Sequence, residues 1–207
     1  ETISVAIGQG QVSVTPLSLA TMMSTVANGG TRHVPHLVQA VDEGEGWRPV
    51  PAPAPRSVTP MRPESVAALH DGLWMAVNGA GTAGRARLPG YDVSGKTGTA
   101  QVISIQGRAA ARGSERDLRD HGWFVFFAPR DNPQIAGVIF AEHSEHGYLA
   151  APIAKHVIAT YFAKQQGRDL PVYPVPAAPA AAPPPVAPAV VARTGTPAPV
   201  GAGGGGR

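Results

Sequence analysis

The spacing of apolar residues changes several times along this chain, and each change marks an element. Leu19, Met22, Met23 and Val26 recur at the three-and-four interval that gathers side chains on one helix face. Thr15-Pro16 just upstream makes a helix start, a capping hydroxyl followed by a proline whose missing N–H is not needed in the first turn. Asn28-Gly29-Gly30 stops that helix with residues that accept positive φ, and Arg32 to Val41 reads as extended chain. A second stripe, Val66, Leu69, Leu73 and Val77, predicts a helix from about Glu64 to Asn78, closed by Asn78-Gly79.

Beyond a glycine-rich loop at Gly79, Gly81 and Gly84, the pattern turns extended. Val93 to Ile103 reads as a strand rich in Thr, Val and Ile, in which Gly95 and Gly98 suggest close approach of other backbone. Trp123–Phe127 and Ile135–Phe140 are strands, and Pro129 to Pro133 is the turn that folds them into a hairpin. Phe124 and Phe126 fall on one face of their strand, with Trp123, Val125 and Phe127 on the other. Both faces being apolar, this strand is predicted to be central and covered on each side. Ile153, Val157 and Tyr161 beside Ala154, Ile158 and Phe162 form two rows of a helix, Pro152 to about Gln165, laid flat on that sheet. The expected fold class is therefore α/β of the α+β kind: an antiparallel three-stranded sheet covered by helices. Met22, Met23, Trp74 and Trp123 are expected in the core.

Polar and proline-rich stretches set the boundaries. Six prolines between Pro49 and Pro63 forbid a helix or a central strand there. Gln106 to Asp120, with arginines set among acids, reads as a solvated loop. From Val172 to Arg207, 25 of 36 residues are Pro, Ala or Gly, too little apolar bulk to offset chain entropy. The expected organisation is one folded unit, 1–170, and a disordered tail, 171–207.

The formal charge is +3, of which Arg193 and Arg207 in the tail supply two, leaving +1 on the folded part. That is no basic face, and nucleic acid is not an expected partner. With no cysteine, disulfide scaffolds, thiolate metal sites and cysteine nucleophiles are excluded. No apolar run approaches the ~20 residues of a membrane-crossing helix. A chain opening on Glu1-Thr2-Ile3 is expected to be part of something longer.

One segment carries candidate chemistry: Val93-Ser94-Gly95-Lys96-Thr97-Gly98-Thr99-Ala100-Gln101-Val102. On a strand, Thr97 and Thr99 project together and Lys96 projects to the other side, so two hydroxyls and an ammonium come close enough to suit a carboxylate. Taken alone, Lys-Thr-Gly is as common on an inert strand edge. Its company is specific: Gly8-Gln9-Gly10 and Val14-Thr15-Pro16-Leu17 before it, Gly81-Thr82-Ala83 next, then His121-Gly122-Trp123-Phe124-Val125, Glu142 to Gly147, and Ala151-Pro152-Ile153-Ala154.

In that order these motifs resemble penicillin-binding proteins, the serine transpeptidases of bacterial cell-wall synthesis, of the elongation-type class B, over Glu1 to about Gly167. The resemblance implies the serine transpeptidase and β-lactamase-like fold, with no cofactor. It implies that Lys96, Thr97, Gly98 and Thr99 bind the carboxylate of a peptidoglycan stem peptide or of a β-lactam. Thr99 would be catalytic, its backbone N–H a donor to the oxyanion, and Gly98 would allow the approach. It implies further a cell-wall elongation complex, and a place at the inner membrane facing the periplasm with the anchor in a missing N-terminal region.

The family's nucleophile sits in Ser-x-x-Lys, and this sequence has none: Val93, Pro152 and Tyr161 stand three before Lys96, Lys155 and Lys164. Ser-x-Asn is also missing, so the chain by itself is expected to be inactive. Related alternatives are a D,D-carboxypeptidase or serine β-lactamase fragment, which shares this strand but gives the acyl group to water, and a non-catalytic interaction module on the same fold. Two weaker signals are set aside. Glu142, His143, Glu145 and His146, like His33 with His36, could be drawn as a metal site but read more simply as polar loop, and no metal is expected. Ser94 and Lys96 share a strand face, yet mid-strand is no place for a nucleophile.

Overall fold

In the computed structural model, residues 5–6, 8–9, 12–102 and 118–173 are described. The first helix, α1, is Pro16–Ala27, and Thr15 caps it by accepting the Ser18 N–H. Asn28 closes it, its carboxamide oxygen accepting the Gly30 and Thr31 N–H groups. Short strands β1 (Thr31–Arg32), β2 (Ala40–Asp42), β3 (Trp47–Pro49) and β4 (Ser57–Val58) follow, paired antiparallel as β1 with β4 and β2 with β3. The alternating prolines confine this region to the surface, where Leu37, Trp47 and Val58 are exposed.

Helix α2, Pro63–Asn78, has Pro in its first turn. Of its expected stripe Val77 is buried and Val66 and Leu73 are half-buried, and one position departs. Leu69 is exposed, and the inward position is His70, whose ring lies 4.7 Å from that of Phe127 and whose Nε2 is 3.2 Å from the Val26 carbonyl. A histidine can both stack and hydrogen-bond at a helix–helix contact where leucine could only pack.

Three strands form the sheet on which everything rests: β5 (Ser94–Ala100), β6 (His121–Ala128) and β7 (Ile135–Ala141), in the order β5-β6-β7, all antiparallel. Lys96 stands opposite Val125, Gly98 opposite Trp123 and Thr99 opposite Gly122. The hairpin and the central place of β6 are as expected. Phe124 and Phe126 join one buried cluster with Val93, Ile158 and Phe162, while Phe127 joins another with Met23 and Ala27 of α1. Helix α3, Ala151–Gln165, covers the first face through Ala154, Ile158 and Phe162. The row of Ile153, Val157 and Tyr161 is less buried, and Val157 is exposed. A flat sheet contacts one row of a helix fully and its neighbour at a slant.

Three core expectations fail. Met22 is 46% exposed, one position round the helix from buried Met23, and Trp74 and Trp123 are only half-buried. The expected loop from Gln106 to Asp120 lies mostly outside the described residues, as does the tail after Tyr173. No helix among the described residues is long and apolar enough to cross a membrane.

Candidate functional site

Among the described residues the sheet's edge strand β5 has no partner strand on its far side, and a cleft of about 490 Å³ opens there. Lys96, Thr97, Gly98 and Thr99 all line it, so the four residues read from the sequence do come together. The rest of the wall is mostly apolar: Val5, Val12 and Val14 from the N-terminal segment, Leu19 of α1, and Trp123 with Val125 of β6.

Within a strand, the N–H and C=O of one residue point to the same side, and the side alternates. The Thr97 carbonyl accepts a bond of 2.8 Å from Lys96 Nζ, and the Thr99 carbonyl accepts one of 2.8 Å from Gln9 Nε2. Both carbonyls therefore face the free edge, and the Thr99 N–H faces it with them. The ammonium of Lys96, exposed and folded against its own strand, stands about two residues from that N–H. Gln9 also accepts, at 3.5 Å, the N–H of Gln101. Nothing in the local pattern announces this role for Gln9, which lies ninety positions from Thr99.

Both threonine hydroxyls have partners within the chain. Thr97 Oγ1 is 2.6 Å from Thr82 Oγ1, and Thr99 Oγ1 accepts the Gly147 N–H at 3.2 Å. Both partners sit in turns beside α3: Thr82 just before the 3-10 turn Gly84–Ala86, Gly147 at the start of another, Gly147–Leu149. Arg85 lies over the Tyr148 ring, 4.7 Å from its centre, and so ties the two turns together. Gly147 has to be glycine, since a Cβ there would run into the Gly98 carbonyl oxygen and stand 2.8 Å from that of Trp123. At Gly98, in contrast, a Cβ would meet only Trp123 Cβ at 3.4 Å, so protein packing does not demand that glycine.

Ser94 is fully buried, with no partner for its hydroxyl among the described residues, and Lys96 bonds elsewhere. His143 takes the N–H side of a bond to His121 Nδ1 at 3.1 Å, part of a folded polar loop. Among the described residues no group of three or more His, Asp or Glu side chains is placed to hold a metal ion.

Residues 1–159 match the sequence profile of the penicillin binding protein transpeptidase domain. The chain is 42% identical over 160 residues to the peptidoglycan D,D-transpeptidase MrdA of Acinetobacter baumannii, an alignment covering 76% of this chain and 24% of that protein. It spans about a quarter of the length of the curated relatives it matches. Among solved structures, Pseudomonas aeruginosa PBP2 in complex with WCK 5153 superposes with a TM-score of 0.63 at 34% identity, over 81% of this chain and 34% of that one. The complex between penicillin-binding protein PBP2 and MreC from Helicobacter pylori gives 0.56 at 27% identity, over 78% of this chain and 27% of that one.

Proposed function

The chain belongs to the penicillin-binding protein transpeptidase domain family, and on that footing we propose that it forms the substrate-holding part of a peptidoglycan D,D-transpeptidase of the elongation type. The observation that carries this reading is the free edge of β5, where the Lys96 ammonium and the Thr99 N–H face one cleft. Lys96, with Thr97, holds the terminal carboxylate of a D-alanyl-D-alanine stem peptide or of a β-lactam. The Thr99 N–H donates to the carbonyl oxygen as it gains charge, a contact worth roughly 3 kcal/mol in the transition state. Gly98 leaves the strand's cleft side clear for the ligand.

The chemistry needs a serine. Its oxygen bonds to the carbonyl carbon of the penultimate D-alanine, the C–N bond breaks, and the terminal D-alanine leaves with the proton. An amine of a second strand then attacks the ester and frees the serine. No serine in these 207 residues has a lysine three positions on, so that group is supplied by a segment outside them, and the apolar wall of Val12, Val14 and Leu19 suits packing against it. On this reading the protein works on the outer side of the bacterial inner membrane, within an elongation complex. The MreC complex of the Helicobacter relative supports such a partner.

The test is a fluorescent penicillin. The 207-residue chain alone is expected to form no covalent adduct, and the full-length protein is expected to form one. An adduct on the isolated chain would return attention to Ser94; none on the full-length protein would end the reading.

A further inference from the structure

The Gly81-Thr82-Ala83 motif has no part in the function described so far, yet its hydroxyl makes the shortest polar contact of the site. A carboxylate can only accept hydrogen bonds, so each threonine that holds one must turn its single O–H proton towards it. A hydroxyl does so reliably when its other neighbours are donors. For Thr99 this is settled: Gly147 N–H donates to Oγ1, leaving the hydroxyl proton for another acceptor. At Thr97 the neighbour is the Thr82 hydroxyl at 2.6 Å, and only one of the pair donates.

We propose that Thr82 is a positioning residue, which donates its proton to Thr97 Oγ1 and so makes Thr97 a donor to the ligand's carboxylate. This rests on the transpeptidase reading above. Arrival of an anion in the cleft selects that direction, because the reverse one would point oxygen lone pairs of Thr97 at negative charge. The resulting chain, Thr82 to Thr97 to carboxylate, has every proton aligned and is strengthened by ending on a charge. Thr82 itself touches no substrate. Its turn is fixed by the buried Ala83 and Ala86 and by Arg85 over Tyr148, so the hydroxyl is held against the strand.

The experiment compares, in the full-length protein, acylation by a penicillin and by its methyl ester, which lacks the anion. Thr82→Val is expected to slow acylation by the acid about fivefold, the factor for one neutral hydrogen bond, and to leave the ester's rate unchanged. Thr82→Ser is expected to restore the acid's rate, and in a Thr97→Val background Thr82→Val should add nothing. The proposal is overturned if acid and ester slow equally, if Thr82→Ser fails to rescue, or if the two substitutions add. A wild-type protein acylated by neither compound would remove the transpeptidase reading itself, which is a different failure.

Discussion

The two faces of the three-stranded sheet carry similar residues to different ends. On the face under α3, Phe124 and Val93 are fully buried in one cluster with Ile158 of that helix. On the opposite face the α1 end is closed by Met23, Ala27 and Phe127, but towards Lys96 the cover stops. There Val12 is 63% exposed and Val14 46%, with Trp123 and Val125 half-buried behind them. One face holds the fold together. The other holds an apolar wall and a charged strand edge open to whatever comes next, and on an edge strand the cost of that openness falls on only one row of backbone groups.

Substitutions can set the faces against each other. Phe124→Ala removes a fully buried ring and is expected to cost about 3–5 kcal/mol in denaturant unfolding, against about 1 kcal/mol for Val125→Ala on the cleft side. Equal losses would show that the cleft face is core after all. Lys96→Ala should do the converse, leaving unfolding unchanged while slowing acylation of the full-length protein roughly 100-fold, because a carboxylate in a partly desolvated groove loses its cation. Undiminished acylation would mean that this edge never held the ligand. A smaller effect is expected from Thr97→Val, about fivefold in acylation for one neutral hydrogen bond. Least of all, Trp47→Ser in the exposed β2–β3 hairpin should stay within about 0.5 kcal/mol in stability; a larger change would reveal a contact for that ring.

Much of this contrast could be read in advance, and the parts that could not share a cause. Caps and periods are local, so Thr15-Pro16, the hairpin and the row Ala154, Ile158, Phe162 were legible. Alternation placed Phe124 and Phe126 together, and the Lys-Thr-Gly context singled out Lys96, Thr97, Gly98 and Thr99. What escaped depends on which distant residue arrives. Leu69 and His70 are adjacent, and only the rings and carbonyls across the helix contact decide which faces inward. Met22 and Met23 differ in the same way. The partners of the two hydroxyls, Thr82 and Gly147, come from turns with no strong pattern of their own, and Gln9 reaches Thr99 across ninety positions.

The Gln9 contact bears on ligand design. An antiparallel visitor at this edge exchanges bonds with both the N–H and the C=O of one residue, and at Thr99 the carbonyl already has an amide donor. A ligand that brings its own amide N–H to that oxygen therefore swaps one bond for another of the same kind, and must leave the Gln9 carboxamide somewhere to go. Medicinal chemists adding such a group should see affinity rise by less than the ~1 kcal/mol that a new neutral hydrogen bond contributes. A ligand carbonyl aimed instead at the Thr99 N–H meets a donor with no such prior engagement in the described contacts, and there the full gain is open.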